Sequence, residues 1–263
     1  MVLMDDIRLV AFDVDGVIRD ASRLFYECHM KAAQAVGLQE DLSSSFGVKD
    51  IWHFKGLGRF NNKRESLSAI YAMAKAGRLR DIRELIYRND AEKEISEVIA
   101  SCSAYVVSGD IDRMVDAYVG EATSNYAHRL VSLYPGAAKA IRRLKDSGMR
   151  IAIVSNSDIM TIERDLRDLL PVFDHVVSSK DVKELKPSGE GLRLVAGASG
   201  IEPKRMLYVG DTVVDIKAAN DAGCMPVSVL SGMGLRQHLE RERPARIFDG
   251  IADVVEWVLG RKT

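Results

Sequence analysis

Leu9-Val10-Ala11-Phe12-Asp13-Val14-Asp15-Gly16 sets four apolar residues in a row ahead of two carboxylates two positions apart and a glycine. A short unbroken apolar run fits a strand buried on both faces, as in a parallel sheet. Sheets of that kind bind ligands outside the carboxyl ends of their strands. Asp13 and Asp15 stand where a strand over residues 7–13 ends, and residues i and i+2 of a strand point the same way. The two acids are therefore expected to share one pocket. Gly16 lets the backbone turn sharply behind them. The simpler alternative is a strand that merely stops at an acidic turn.

A strand at 7–13 cannot form a sheet alone, and its partners lie more than a hundred residues on. From Tyr134-Pro135-Gly136 onward, strand and helix patterns alternate. Pro135 suits a first helical turn, and Ala137, Ala140, Ile141 and Leu144 give that helix one apolar face ending at Gly148. Strands are expected at 150–154, 175–178, 206–209 and 226–230, with helices over 190–198 and 215–222 between them. Such alternation implies α/β architecture, a doubly wound parallel sheet with helices on both faces. Residues 17–132 read as helical throughout. Leu24, Phe25, Cys28, Ala32 and Val36 recur at helical spacing, and Leu67, Ile70, Tyr71 and Ala74 share a face behind an Asn62/Glu65 capping-box variant. The expected organisation is a core of residues 1–16 and 133–263 interrupted by an all-helical cap over 17–132.

Composition excludes several classes. A net charge of −1 gives no global field toward nucleic acid or anionic lipid, and neither partner is expected. The three cysteines, Cys28, Cys102 and Cys224, are far apart and odd in number, which argues against a disulfide framework or zinc site and for a reducing cytoplasm. Met1-Val2-Leu3-Met4 runs into Asp5-Asp6, too short and acidic for a signal peptide, and no apolar run approaches a membrane span. Gly56-Leu57-Gly58 and Gly232-Met233-Gly234 lack the third glycine of a dinucleotide fingerprint, and no P-loop occurs.

The strand ends carry the candidate chemistry: Asp13 and Asp15, then Ser155 and Asn156, then Asp211, with Asp215 one helical turn further on. Lys186 lies in the loop Glu184-Leu185-Lys186-Pro187-Ser188. Were these to converge, carboxylates about 4 Å apart would repel by roughly 4 kcal/mol each at an effective dielectric near 20, so either some stay protonated or a cation sits among them. Hard oxygen donors without histidine or cysteine nearby favour Mg²⁺ over zinc. Carboxylates, Mg²⁺, a lysine and a hydroxyl together suit a phosphoryl group. Each residue also has a structural reading: Ser155 as a helix cap, Asp211 and Asp215 as helix-start acids, Lys186 as a surface lysine.

Phe12-Asp13-Val14-Asp15-Gly16, Val154-Ser155-Asn156, Lys186-Pro187 and Gly210-Asp211-Thr212-Val213-Val214-Asp215 resemble, in order, the four motifs of the haloacid dehalogenase-like hydrolase superfamily. The helical insertion is similar in architecture to the cap of its phosphoglycolate phosphatase-like branch. Val17 departs from the usual Thr. The resemblance implies a Mg²⁺-dependent phosphatase acting on a small phosphorylated metabolite, phosphoglycolate or a sugar phosphate, as a monomer or homodimer. It implies Asp13 as nucleophile and Asp15 as general acid and base, a role that needs a pKa above the free value. It implies that Asp13, the Asp15 carbonyl and Asp211 hold Mg²⁺, with Asp215 in support. Ser155 and the Asn156 amide would bind phosphoryl oxygens, and Lys186 would neutralise charge. An acid at Asp15 argues against dehalogenase or phosphonatase chemistry. A phosphosugar mutase of the β-phosphoglucomutase type shares these core residues, and a receiver-like phospho-acceptor is the non-enzymatic alternative. Within the insertion, Lys55, Arg59, Asn61, Lys63 and Arg64 are candidates to read the rest of the substrate, against the reading of a solvated loop. His29 and His53 are expected to be structural.

Overall fold

The computed structural model describes residues 6–260; the Met1–Asp5 start lies outside the described residues. Among the described residues, eight strands form two sheets: β1 Leu9–Phe12, β2 Arg19–Asp20, β3 Ser132–Leu133, β4 Arg150–Val154, β5 His175–Val177, β6 Met206–Gly210, β7 Met225–Val229 and β8 Arg246–Phe248. Six of them make one sheet in the order β5-β4-β1-β6-β7-β8, every neighbouring pair parallel. The chain is an α/β protein with a doubly wound parallel core. β1 sits between β4 and β6, with Phe12 level with Ile153 on one side and Val209 on the other. The chain builds outward from β1 to β5, then returns to start again at β6, so the strand order reverses between β1 and β6. An open sheet offers its ligand crevice at such a reversal.

The alternation of β1 explains why helices cover both faces. Val10 and Phe12 point to one side, where they join Ile151, Ile153, Leu207 and Val209 under the helices Ala137–Asp146, Ile159–Leu166 and Ile251–Val258. Leu9 and Ala11 point to the other, with Ala152, Met206 and Tyr208 beneath Glu190–Ser199 and Val213–Ala222. Ala137, Ala140, Ile141 and Leu144 are all buried, the face read from their spacing. The helix containing them begins at Ala137, one residue after Gly136 in the left-handed region, so Pro135 precedes the helix rather than opening it.

Three differences from the sequence reading stand out. β1 ends at Phe12, before either acid. β8 was not anticipated: Arg246–Phe248 is short and only partly buried, so its apolar signal is weak. The two-residue strands β2 and β3 pair antiparallel as a small ribbon, Arg19 opposite Leu133.

The chain divides into two compact units, residues 1–20 with 132–263 and residues 21–131. The second unit is helical among its described residues, with a core of its own around Leu24, Cys28, Leu42, Phe54, Leu67, Ile70 and Ile111. In it, Asn62 accepts from the backbone amides of Arg64 and Glu65 and so caps the helix Lys63–Lys75. No helix among the described residues is long and apolar enough to cross a membrane.

Ile153 is fully buried on β4 of the main sheet, level with Phe12 of β1. Ile153→Ala is expected to lower unfolding free energy by about 3 kcal/mol through lost transfer energy and a residual cavity. Met160→Ala, at an exposed helical position, is expected to change it by less than ~0.5 kcal/mol. Urea denaturation with unchanged m-values checks both.

Candidate active site

The carboxyl ends of β1, β4 and β6 deliver the predicted residues. Asp13 follows β1, and its backbone amide donates to Val209 O at 2.9 Å, continuing the ladder by one bond. Ser155 and Asn156 follow β4, and Asp211 follows β6. The turn after Asp13 is tight: the Ile18 and Arg19 amides both donate to Val14 O, and Gly16 has φ +80°. A side chain at Gly16 would also collide with Asp211, its Cβ falling 2.1 Å from Oδ2, so glycine is demanded twice.

Lys186 is the buried centre of the site. Its Nζ lies 3.0 Å from Asp13 Oδ1 and donates to Asp215 Oδ1 at 2.7 Å and Tyr208 Oη at 2.9 Å. Asn156 holds the lysine's backbone, accepting from Lys186 N at 3.0 Å and donating to Lys186 O at 3.3 Å. The Asn156 side chain therefore fixes the lysine loop. These bonds are made by the side chain and do not bear on the phosphoryl contact implied for the Asn156 amide. Ser155 is buried, and its hydroxyl accepts from the Ser157 amide at 3.3 Å.

Asp215 is the third residue of the helix Val213–Ala222. Its Oδ2 accepts from the amides of Asp211 and Thr212 and from Thr212 Oγ1, the last at 2.6 Å. Burial works against its charge, but Lys186 and Thr212 outweigh that and hold the carboxyl below its usual range. Both oxygens are thus occupied, which makes Asp215 the counter-ion that orients Lys186.

Asp211 is different. Its Oδ2 accepts from Met233 N at 2.6 Å, while Oδ1 is buried without a hydrogen-bond partner. Burial first, then the neighbouring Asp215 and Asp13, push its carboxyl well above the usual range. Asp13 is raised to about 6, mainly by burial, with Lys186 opposing and Asp215 and Asp15 reinforcing. Asp13 Oδ1, despite its lysine neighbour, accepts no well-aligned hydrogen bond.

One oxygen from each of Asp13, Asp211 and Asp215 lies within 4.8 Å of the others. Buried oxygens lacking donors, carboxyls that resist ionising, and an all-oxygen donor set fit a hard divalent cation. Asp13 and Asp211 would hold it. The Asp15 side chain stands apart from this group, leaving only its carbonyl for the role the resemblance implied.

Asp15 brings the main correction. Because β1 stops at Phe12, Asp13 and Asp15 do not act as i and i+2 of one strand. The turn carries the Asp15 carboxylate to Arg19, whose Nε donates to Oδ1 at 2.7 Å, while Ser157 Oγ donates to Oδ2 at 2.9 Å. Burial alone would raise this carboxyl. Arg19 and Ser157 reverse the effect and hold it below its usual value, opposite to the expected shift. Arg19 was missed because an arginine after Val17-Ile18 reads as a surface residue; its spacing of four from Asp15 was the available signal. Tyr208 was missed too, although a tyrosine in an aliphatic strand needs a partner for its hydroxyl. The loop at Ser231–Met233 was read only as a failed dinucleotide motif. It is pinned by Ser231 Oγ donating to Gly16 O at 2.7 Å and by Tyr134 Oη donating to Ser231 O at 2.6 Å.

A model of the haloacid dehalogenase-like hydrolases matches residues 7–223. The chain belongs to that family. Two curated relatives of the haloacid dehalogenase-like chain are named phosphoglycolate phosphatase. One, from Salmonella choleraesuis, is 32% identical over 145 residues, 54% of this chain and 56% of that protein. The other, from Escherichia coli K12, is 31% identical over 145 residues. The chain thus spans about half the length of these relatives. Among solved structures, a haloacid dehalogenase family hydrolase from Deinococcus radiodurans, crystallised with phosphate and sodium, is 19% identical, with a TM-score of 0.67, covering 97% of this chain and 96% of that one. A haloacid dehalogenase-like protein from Streptococcus pneumoniae is 16% identical, with a TM-score of 0.68, covering 96% and 99%. At these identities the two structures bear on the fold alone.

Lys55 and Arg59 belong to the helical unit. Lys55 is buried, with Nζ donating to Asn61 O at 2.6 Å and lying 5.3 Å from the centre of the Phe25 ring. It ties its own loop together. Arg59 is half exposed and pairs with Glu65 at 2.6 Å. Asn61 lends its carbonyl to Lys55, Arg64 pairs with Asp112, and Lys63 opens the helix capped by Asn62. His29 is buried and neutral, pushed down to about 3 by burial and Lys55, with Nδ1 donating to Phe25 O at 2.7 Å.

Asp13 binds its proton more tightly folded than unfolded. Its contribution to stability is full below about pH 4 and is lost as pH rises through about 6. Metal-free protein is expected to fall in Tm across that interval, and Asp13→Asn to flatten the fall. Added Mg²⁺ is expected to raise Tm more at pH 7.5 than at pH 5, because its ligands must be deprotonated. Scanning calorimetry over pH, with and without Mg²⁺, checks each outcome.

Proposed function

We propose that the chain is a Mg²⁺-dependent phosphatase of small phosphomonoesters, with phosphoglycolate or a sugar phosphate as the substrate type. The observation that carries this reading is the pairing of Asp13 with Lys186 at 3.0 Å beside Asp211, whose buried Oδ1 has no partner. A nucleophilic carboxylate, a fixed cation and a hard-metal seat are the parts a phosphoryl transfer needs, because catalysis there is mostly positioning and charge stabilisation. The family and the names of the two curated relatives support the same reading.

In this mechanism Asp13 attacks phosphorus, an Asp13 O–P bond forms, and the P–O bond to the alcohol breaks. Asp15, ionised in the resting chain, first takes the proton of the incoming phosphomonoester monoanion and then gives it to the leaving oxygen. Asp15 then removes a proton from water as that water attacks phosphorus, restoring Asp13 and releasing inorganic phosphate. Two easier displacements replace one hard one. Lys186, held by Asp215, Tyr208 and the Asn156 clamp, opposes the negative charge that gathers on Asp13 and the phosphoryl group. Ser155 supplies a hydroxyl for a phosphoryl oxygen. A Mg²⁺ held by Asp13 and Asp211 would supply Lewis-acid stabilisation of the negative charge that develops in the transfer.

Purified protein is expected to release many phosphates per molecule from p-nitrophenyl phosphate with Mg²⁺, and to lose that turnover to a chelator. Asp13→Asn is expected to lower kcat by ~10³-fold or more with far-UV circular dichroism unchanged. Release of one phosphate equivalent or fewer per chain would instead fit a receiver-like acceptor. Isomerised sugar phosphate with little phosphate release would fit a mutase.

A further inference from the structure

Arg19 is a buried arginine in direct contact with the carboxylate that the proposed reaction uses as its acid and base. Its side chain is 3% exposed, and its Nε approaches Asp15 Oδ1 at 2.7 Å. Its other end, Nη1, pairs with Asp165 on the helix Ile159–Leu166, a carboxylate only 1% exposed. Arg164 closes on the same Asp165 through Nε at 2.6 Å and Nη2 at 2.9 Å. The backbone around Arg19 is equally constrained, its amide donating to Val14 O and its carbonyl accepting from Gly16 N.

The two oxygens of Asp15 are held unequally. Oδ1 has a charge-assisted bond to a guanidinium that is itself anchored, whereas Oδ2 has a neutral hydroxyl, Ser157 Oγ, at 2.9 Å. Charge-assisted hydrogen bonds are roughly twice as strong as neutral ones, so Oδ2 is the oxygen that can change partners. We propose that Arg19, fixed by Asp165, is a positioning residue that pins Asp15 through Oδ1 and leaves Oδ2 to meet the leaving-group oxygen. Oδ2, which accepts from Ser157 in the resting chain, takes up the proton of the phosphomonoester monoanion, passes it to that oxygen as the P–O bond breaks, and recovers one from the attacking water. This inference rests on the phosphatase reading above.

The alternative is an ion-pair cluster that only holds the turn to the helix. The two differ in what happens to substrates that need protonation to leave. Phenyl phosphate and p-nitrophenyl phosphate have similar shapes, but the nitrophenolate departs without much help. Arg19→Met is expected to lower kcat on phenyl phosphate by roughly tenfold more than on p-nitrophenyl phosphate, a part of the roughly 10²–10⁴-fold a positioned acid contributes, with KM little changed. Asp165→Asn, which keeps Arg19 and weakens its anchor together with the Arg164 pair, is expected to show the same imbalance in smaller measure. It decides the matter if Arg19→Met fails to fold. Asp15→Asn is the reference for a lost acid. Equal loss on both esters in the Arg19 and Asp165 variants, beside an unequal loss in Asp15→Asn, overturns the positioning role and spares the phosphatase reading. A folded wild-type protein inert to both esters overturns both.

Discussion

Charge balance below the solvent surface is the constraint from which this site is built. Asp13 and Asp215 share Lys186, and Asp15 and Asp165 share Arg19. Asp211 is left with no cation of its own at hydrogen-bond distance, only the Met233 amide. Buried carboxylates without a counter-charge either stay protonated or recruit a cation. The upward shift of Asp211 expresses the first option in the metal-free chain. Its partnerless oxygen, in a cluster where Asp13, Asp211 and Asp215 each bring an oxygen within 4.8 Å, makes room for the second.

That constraint reaches back into the backbone. The acids come from the ends of β1 and β6, and Lys186 comes from a loop that Asn156, at the end of β4, clips from both sides. Gly16 and Gly232 admit the Asp211 carboxylate where any Cβ would fall about 2 Å from its oxygen. Gly210 does the same for Asp215, whose Cβ would lie 2.1 Å away. Hydrogen bonds within the same few turns then remove the remaining freedom, through Thr212 on Asp215 and Ser231 on the Gly16 carbonyl. The parallel sheet brings distant segments to a common edge. The turns after the strands decide where each carboxylate points.

The same division explains what could be read from the sequence. Apolar runs and their alternation with helical spacing reveal the sheet, because burial on both faces leaves a strong local signature at Leu9–Phe12 and Ile151–Val154. The acids at strand ends are legible for the same reason. Orientation is not. Whether Asp15 follows Asp13 into one pocket depends on whether the strand continues two residues further, and the Val14 carbonyl's two bonds to Ile18 and Arg19 end that possibility. Charged residues mislead most, since a lysine or arginine looks solvated until a buried partner is known. Arg19 and Lys55 both escape that default, one through two carboxylates and the other through backbone carbonyls and an aromatic face. β8 carries too little burial to announce itself.

Stability is a poor explanation for such a cluster. Removing charges from water costs several kcal/mol per ion, and well-packed apolar replacements for a buried ionic set are often neutral or stabilising. A core that needed only to hold β1, β4 and β6 together already has Phe12, Ile153 and Val209 for the purpose. Five buried aspartates set around one lysine and two arginines therefore raise the free energy of the resting fold, and a fold that retains them does so against its own stability. Asp211, the member whose charge burial and its neighbours oppose, also has an oxygen within 4.8 Å of one of Asp13, the residue placed to react. The destabilisation is concentrated where a cation and a phosphoryl group would relieve it, which is where a phosphoryl-transfer site gains most from being organised before its ligands arrive.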